Sequence, residues 1–339
     1  MVKALINELE LRRNYFTDQV STIYFGGGTP SLLEHQEIDR ILEAVYKLFH
    51  IENQAEVTLE ANPEDVTPDA LINWGKSGIN RLSIGIQSFD DELLRFMNRA
   101  HDGKGARIAL EKISEQFENY TLDLIYGIPG SEKGRLNSDL TEALSYNPAH
   151  ISAYALTIEP KTVFGNWKAK NKLTPVKDDE VADEFIEIHN ALTSQGFDHY
   201  EVSNYARQGY KSLHNTGYWQ ERSYLGIGPS AHSYNLNSRQ FNVANNIKYI
   251  KSIGKGIVPA VVEVLDREAM VNDYILTSLR TKWGISKEKL MKWDYDLDQK
   301  SDFIRDLVQN KYASMDNGIL KLTPKGFLLA DQFAQELFL

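Results

Sequence analysis

The stretch Tyr24-Phe25-Gly26-Gly27-Gly28-Thr29-Pro30-Ser31, YFGGGTPS, ends an apolar run, VSTIYF, whose β-branched and aromatic residues are typical of a buried strand. Glycine destabilises a strand or helix by roughly 0.5–1 kcal/mol relative to alanine, so three in a row are expected only where the backbone turns sharply or touches something closely. A tight strand-to-helix turn and a ligand-binding turn both fit this stretch when it is taken alone.

Strand-like runs recur along the first half of the chain, with helical periodicity between them. The runs are STIYFGG near residue 24, EVTLEAN near 58, RLSIGIQ near 84, YTLDLIYG near 123 and HISAYALT near 153. Segments such as IDRILEAVYKLF and DALINWGKSG separate them. This alternation, with a repeat of about 30 residues, predicts an α/β fold in which helices surround a parallel sheet or barrel.

Polar residues and glycines close all five predicted strands. They are Gly26 to Thr29, Glu60 to Asn62, Gln87, Asp123 with Gly127, and Thr157 with Glu159. The carboxyl ends of parallel strands meet at one edge of a sheet, where such folds bind their ligands. We therefore predict a ligand pocket at this edge.

Composition excludes several classes of protein. The chain has 339 residues, 42% of them hydrophobic, a formal net charge of -10 and no cysteine. The negative charge argues against a nucleic acid or an anionic membrane as the main partner. We expect a soluble, cytoplasmic protein without a membrane span. Disulfides, thiolate zinc sites and cysteine-ligated iron–sulfur clusters are excluded for the chain as written.

We predict three regions, which cover residues 1–160, 161–265 and 266–339. The middle region is rich in aromatic residues and irregular in pattern. In the last region, short amphipathic segments, a DNG turn at Asp316 to Gly318 and a helix start at Thr323-Pro324 predict a winged-helix-like domain. This domain has 11 Lys and Arg against 12 Asp and Glu, so it lacks a DNA-binding charge, and we expect a structural or substrate-covering role.

Two glycine-rich motifs give no support for a nucleotide site. GGGTPS lacks the Lys-Ser/Thr pair with which a Walker A loop binds phosphate and magnesium. GIGPSA, at Gly226 to Ala231, has two glycines of a dinucleotide fingerprint but neither the third glycine nor a clear preceding strand.

Several motifs taken in order resemble one family. YFGGGTPSLL, EANPEDV, GINRLSIGIQSFDDELL, NRAH, LDLIYGIPG, AYALTIEP, YEVSNYA and HNTGYW together resemble the radical S-adenosylmethionine enzymes of the oxygen-independent coproporphyrinogen III oxidase group. Within that group the chain looks most like the haem-chaperone branch, and the resemblance runs from residue 1 to the C-terminus. It implies a partial (β/α) TIM-like barrel, completed within 161–265, and a smaller C-terminal domain.

The resemblance also implies that S-adenosylmethionine binds across the strand ends. The matching positions are Gly27, Gly28, Thr29, Glu60, Gln87, Arg99 and Asp123. The glycines would let backbone approach the methionine end of the cofactor. Carboxylates and an amide can hold ribose hydroxyls and an ammonium, and Arg99 can hold a carboxylate. Each residue taken alone is better explained as a hydrogen-bonded polar group that closes a strand, or for Arg99 as a surface ion pair. Their joint order reverses that preference.

The stretch HNTGYW, His214 to Trp219, matches the motif by which the haem-chaperone branch resembles a haem binder. The resemblance implies that His214 is an axial ligand of haem iron, that Asn215 belongs to the haem site, and that Tyr218 and Trp219 pack on the macrocycle. A loop histidine is more often solvated or hydrogen-bonded than a metal ligand, so that alternative stays open. His232 in PSAHSY is a second candidate.

The chain departs from the family in its cysteines. Members carry a strand with C-x-x-x-C-x-x-C, whose thiolates hold a 4Fe–4S cluster that coordinates S-adenosylmethionine. Here MVKALINELELRR matches the helix after that strand. We therefore expect the cluster loop and first barrel strand to be missing, and the strand at Thr22 to Phe25 to have an unpaired edge. We also expect no bound cluster and only weak S-adenosylmethionine binding.

Three functions remain open. The first is a chaperone that holds haem for delivery to an acceptor protein. The second is an oxygen-independent coproporphyrinogen III oxidase of porphyrin biosynthesis, and the third is a cluster-free barrel that only binds proteins. HNTGYW favours the chaperone, and the absence of cysteine weakens the oxidase most. The expected partners are haem or a porphyrinogen and a haem-acceptor protein, with no nucleic acid.

Overall fold

The computed structural model describes the whole chain, residues 1–339. Its strands are β1 (Val20–Phe25), β2 (Ile51–Ala61), β3 (Arg81–Gln87), β4 (Tyr120–Tyr126), β5 (His150–Ala155), β6 (Asp198–Glu201), β7 (Asn204–Ala206), β8 (His232–Tyr234), β9 (Ser238–Asn242), β10 (Ala260–Val264), β11 (Ile285–Ser286), β12 (Ala313–Asp316) and β13 (Ile319–Leu322).

The helices are α1 (Val2–Leu11), α2 (His35–Leu48), α3 (Pro68–Ser77), α4 (Asp91–Phe96), α5 (Gly103–Gln116), α6 (Arg135–Ser145), α7 (Val163–Ala169), α8 (Asp178–Ser194), α9 (Leu213–Trp219), α10 (Asn246–Ile253), α11 (Arg267–Leu279), α12 (Lys287–Met291), α13 (Ser301–Gln309), α14 (Pro324–Phe327) and α15 (Ala330–Leu337). Short 3-10 helices lie at Pro30–Leu32, Pro63–Asp65 and Leu297–Lys300. None of the helices combines the length and apolar composition needed to cross a membrane.

The main sheet has seven strands in the order β1-β2-β3-β4-β5-β7-β6. Strands β2 to β5 are parallel to one another, whereas β7 and β6 join antiparallel. The five predicted strands and the α/β class are confirmed. Strand β1 lies at the end of the sheet, so the prediction of an unpaired edge beside it is confirmed for this chain.

The parallel strands alternate polar and apolar residues, which gives the sheet two different faces. The apolar positions are completely buried, and they include Leu59, Leu82, Ile84, Ile86, Leu122 and Ile151. The alternate positions of the same strands are polar, as in Arg81, Ser83 and Gln87 of β3. One face therefore belongs to the hydrophobic core, and the other collects polar groups.

The chain forms two compact units. Unit 1 comprises Met1–Tyr24, Leu33–Val57 and Ser212–Leu339, and unit 2 comprises Phe25–Leu32 and Thr58–Lys211. Strands β1 and β2 each contribute residues to both units. The three regions predicted from the sequence, with boundaries near residues 160 and 265, divide the chain differently from these two units. That division stays a prediction.

The C-terminal region contains the predicted small domain. Helices α11 to α13 accompany a three-stranded sheet in the order β11-β13-β12, which is a winged-helix arrangement. The DNG turn joins β12 to β13, with φ of 49° at Asn317 and 75° at Gly318. The side chain of Thr323 caps α14 by accepting a hydrogen bond from the Gly326 N–H, as predicted from Thr323-Pro324.

The region 161–265 is more regular than its sequence indicates. It contains α7 to α10 and the short strands β6 to β10, of which β8, β9 and β10 form a separate antiparallel sheet. HNTGYW lies on helix α9, so the description of His214 as a loop histidine was wrong. These strands have three to five residues, which is too short for alternation to be recognised in the sequence.

A buried carboxylate organises unit 1. Glu8 on α1 is completely buried and accepts hydrogen bonds from Tyr249 Oη (2.6 Å), Asn242 Nδ2 (2.7 Å) and the Gly228 N–H (2.8 Å). Arg12, one turn along α1, lies 3.3 Å from it. These contacts join α1 to β9, α10 and the GIGPSA stretch, which therefore has a structural explanation.

Replacing Glu8 with alanine is expected to destabilise the protein by about 3–5 kcal/mol, because Arg12 and three buried donors lose their partner. The free energy of unfolding in urea is the measurement. Glu10→Ala, at an exposed position on the same helix, is the matched control and should change it by less than about 0.5 kcal/mol. Equal effects of the two substitutions would contradict this role.

Candidate functional site

The polar face of unit 2 is continuous across four neighbouring strands. Glu60 on β2 pairs with Ser83 on β3 in the strand register, and Asp123 on β4 pairs with Ser152 on β5. Sequence analysis identified Glu60 and Asp123 but missed both serines. The signal that could have found them is the alternation of polar and apolar residues in the middle of these strands, which puts Ser83 and Ser152 on the same face as Glu60 and Asp123.

Asp123 has an unusual environment on this face. Ser83 Oγ donates to Asp123 Oδ2 (3.1 Å), and Ser152 also hydrogen-bonds the carboxyl. Desolvation by burial raises the pKa of Asp123 to about 6, against the lowering effects of the two serines and of the Arg81 charge, while Glu60 adds to the rise. The carboxyl therefore changes charge close to physiological pH.

The glycine run forms a turn at the end of β1. Gly27 and Gly28 have φ of 73° and 157°, so the first requires the left-handed region that glycine adopts readily. The Gly27 N–H donates to Glu60 Oε2 (3.3 Å). No protein atom lies within 4 Å of the position that a Cβ would take at either glycine. The turn thus needs glycine for its backbone and leaves that backbone approachable, while Thr29 beyond it is exposed.

Gln87 and Arg99 come together over Gly85. A Cβ at Gly85 would lie 2.8 Å from Gln87 Nε2 and 3.2 Å from Arg99 Nη2, so a larger residue there would displace these two side-chain ends. Arg99 Nη2 donates to Asn62 Oδ1 (2.7 Å), whereas Arg99 Nε is buried and has no partner. Gln87 has a φ of 68°, which is strained for a residue with a side chain, and such strain concentrates at functional sites.

Two buried residues hold these segments in place. His101, in the NRAH motif, contacts the Ile86 carbonyl oxygen through Nε2 (3.1 Å) and Glu64 through Nδ1 (3.2 Å). Asp139 on α6 accepts hydrogen bonds from Ser88 Oγ (2.6 Å) and the Phe89 N–H (3.1 Å). These contacts fix the chain on either side of Gln87 and close to Arg99. Sequence analysis assigned neither His101 nor Asp139 a role.

The predicted strand-end residues after β4 and β5 do not join the polar groups of this face. The Gly127 N–H donates to Glu184 Oε2 on α8 (2.7 Å). Thr157 and Glu159 are exposed, and the Glu159 carbonyl oxygen accepts from Thr162 Oγ1 (2.6 Å). The polar groups of this face therefore come from β1, β2, β3 and β4, with Ser152 from β5, and the pocket at this edge stays a prediction.

The donor set fits S-adenosylmethionine better than it fits a cluster. Approachable glycine backbone, the Glu60 and Asp123 carboxyls, the Gln87 amide and an arginine with an unpartnered Nε suit the polar groups of the cofactor. The chain has no thiolate, and the structure has no group of three or more His, Asp or Glu placed to hold a metal ion. The residues present do not fit a thiolate-ligated cluster.

A second candidate site lies on α9 in unit 1. Ser212 caps the helix through the Asn215 N–H (3.2 Å), and Glu56 accepts the N–H groups of Leu213 (2.9 Å) and His214 (3.0 Å). A carboxylate at a helix N-terminus is favourable because it opposes the positive end of the helix dipole. Glu56 thereby fixes the first turn of α9 to β2, which no sequence signal indicated.

The His214 ring is held on three sides. Its Nδ1 lies 3.0 Å from Thr22 Oγ1, and its Nε2 lies 2.9 Å from Tyr218 Oη. Tyr24 stacks on the ring at 4.5 Å between centroids, with an interplanar angle of 16°. The structure thus brings together His214 and Tyr218 of the predicted haem residues, as i and i+4 neighbours on one helix face.

The other two predicted haem residues lie on the adjacent face of α9. Trp219 Nε1 is buried without a hydrogen-bond partner, and the guanidinium of Arg280 lies 6.0 Å from the Trp219 ring. The Asn215 side chain is half-buried. The second histidine candidate, His232 on β8, is exposed and lies 5.8 Å from the ring of Phe241.

The fold and the comparisons with known proteins together place the chain among the radical S-adenosylmethionine proteins. Residues 3–139 match the family model described as the Radical SAM superfamily. The solved structure of coproporphyrinogen III oxidase (HemN) from Escherichia coli, a radical SAM enzyme, superposes with a TM-score of 0.81 at 23% identity, over 99% of this chain and 82% of that one. This likeness shows the fold, and it confirms the predicted partial barrel with a small C-terminal domain.

Curated relatives identify the branch. The chain is 32% identical to heme chaperone HemW of Lactococcus lactis over 100% of this chain and 89% of that protein. It is 31% identical to heme chaperone HemW of Bacillus subtilis over 92% of this chain and 84% of that one. The chain belongs to the HemW family, as its motifs indicated.

The raised pKa of Asp123 predicts a pH-dependent cost to stability. Between the usual pKa of 3.8 and the folded value of about 6, the folded protein holds a proton that the unfolded chain has released. Stability is therefore lost as pH rises through this window, by at most about 3 kcal/mol. Urea unfolding of wild type and Asp123→Asn at pH 4 and pH 7 should show wild type losing stability relative to the variant, and a constant difference would contradict the assignment.

Proposed function

We propose that this protein is a haem chaperone that binds haem through His214. The observation that carries the proposal is the fixed imidazole on α9, which lies within the HNTGYW motif of a chain whose relatives are named heme chaperones. An imidazole held at one nitrogen by a protein oxygen is the usual arrangement of a metal-binding histidine. Delivery of the haem to a cytoplasmic acceptor protein is part of this proposal.

The contacts of His214 select the ligating atom. In the tautomer that we propose, the Tyr218 hydroxyl, whose pKa is raised to about 12 mainly by desolvation, donates to Nε2. Nδ1 then carries the ring proton and donates to Thr22 Oγ1. Nε2 is then the nitrogen with a lone pair, and the Tyr218 side chain would have to move away from it for iron to bind. Thr22 acts as a positioning residue.

We propose that S-adenosylmethionine binds to the polar face of unit 2. Gly27 and Gly28 would offer backbone to it, while Glu60, Gln87, Arg99 and Asp123 would hold its polar groups. Thr29 is the seventh position in this set. When bound with a reduced cluster, the cofactor supplies radical chemistry in the family, and no step of that chemistry is assigned to residues 1–339 because they provide no thiolate.

Haem binding tests the chaperone proposal directly. The purified chain is expected to take up haem with a Soret band, and His214→Ala should shift that band because Nε2 is removed. Tyr218→Phe should keep the band and strengthen binding by a few-fold, since Nε2 no longer has to exchange a hydrogen bond worth about 1 kcal/mol. Absorption titration with haem is the measurement.

His232→Ala is the matched control, because it removes an exposed histidine that has no place in HNTGYW. It should leave the Soret band unchanged. Identical spectra and affinities for wild type and the His214→Ala, His232→Ala double variant would refute ligation by His214.

A further inference from the structure

Helix α7 is a short helix at the surface of unit 2. None of its seven residues is buried, and Val163 and Trp167 are 63% and 39% exposed. A helix in a globular protein normally buries an apolar stripe, so an apolar residue and an indole left at the surface of a short helix indicate a contact with something else.

The helix is nevertheless held in one conformation. Phe164 stacks on Phe96 of α4 at 5.0 Å between centroids, and Trp167 packs edge-on against Phe164 at 5.7 Å. The Thr162 side chain caps the helix by accepting from the Gly165 N–H (3.0 Å). A Cβ at Gly165 would lie 2.2 Å from the Glu159 carbonyl oxygen, so the turn is tightly closed. The aromatic surface is therefore preformed.

The surrounding charge is the reverse of that of the whole protein. Residues 161–177 contain five lysines and no acidic residue, in a chain of net charge -10. Only Lys177 forms an ion pair, with Glu180 of the acidic first turn of α8 (3.5 Å). Lys168, Lys170 and Lys172 are exposed and make no ion pair. An aromatic surface bordered by unpaired ammonium groups complements a flat apolar ligand that carries carboxylates.

We propose that α7 is a binding surface for the carboxylate-bearing edge of a tetrapyrrole. Val163 and Trp167 would contact the macrocycle, and Lys168, Lys170 and Lys172 would attract its propionates. This inference rests on the proposed function for the class of ligand, but not on iron ligation. Phe96 precedes Arg99 by three residues, and α7 follows β5, so the surface belongs to the strand-end side of unit 2.

The test uses metal-free protoporphyrin IX, which has propionate carboxylates but no iron. Its dimethyl ester, which has neither iron nor free carboxylates, is used for comparison. Binding to the full chain is measured by porphyrin fluorescence. Lys168→Glu, Lys170→Glu and Lys172→Glu are combined in one variant. A matched control combines Lys76→Glu, Lys104→Glu and Lys133→Glu, which are exposed lysines of unit 2 with no ion pair, so that the net charge is the same.

The α7 variant is expected to bind protoporphyrin IX about tenfold more weakly than wild type, since three attractive charges near the propionates become repulsive. The affinity of the control variant for protoporphyrin IX should differ from that of wild type by less than about twofold. The affinity of the α7 variant for the dimethyl ester should likewise stay within about twofold of the wild-type value. Trp167→Ala should weaken the binding of both porphyrins. Trp167→Phe should restore part of that affinity because an aromatic ring is retained.

Equal affinities of the α7 and control variants for protoporphyrin IX, or no porphyrin binding by wild type, would overturn the inference. The inference would also be overturned if the α7 variant lost binding to phosphatidylglycerol vesicles but bound porphyrin as well as wild type. The lysines would then bind a membrane surface. His214→Ala should not alter metal-free porphyrin binding. Failure of the iron-dependent Soret test with a positive result here would reject the proposed ligation and keep the α7 surface.

Discussion

The alternation of polar and apolar side chains along β2 to β5 is the constraint on which the rest of unit 2 depends. Side chains of a strand point to opposite faces in turn, so one pattern builds both a hydrophobic layer and a polar one. Arg81 is only 2% exposed and lies near the Asp123 carboxyl. A buried charge is tolerated only with compensating groups, and the serines and carboxyls of the same face provide them. The polar face is thus a connected electrostatic unit.

The strand ends add preorganisation to this chemistry. Gly27 and Gln87 have positive φ values, and the ends of the Gln87 and Arg99 side chains both lie close to Gly85. A strained conformation persists only when its surroundings enforce it, which is the role of His101 and Asp139 here. The side chains that would meet a ligand are therefore oriented before it arrives, so less conformational entropy is lost on binding.

Sequence patterns predicted the parts of the molecule that depend on local or periodic signals. The first five strands, the winged-helix-like domain and the unpaired edge at β1 were found in this way. The antiparallel strands β6 and β7 were missed because they are four and three residues long. Glu8 and Glu56 were missed for another reason, since their partners lie more than 150 residues away in the chain. The Ser212 cap was a usable local signal that HNTGYW begins a helix.

Binding of S-adenosylhomocysteine, measured by calorimetry, tests most directly whether the polar face is a ligand site, because this stable analogue needs no cluster. We predict weak, saturable binding to wild type. The affinity should be at least about tenfold lower in the Glu60→Ala, Gln87→Ala double variant, which removes one carboxylate and one amide. The matched control is Glu115→Ala with Gln116→Ala, which removes the same two residue types from exposed positions on α5. Equal binding by the two double variants, or no binding by wild type, would contradict the account.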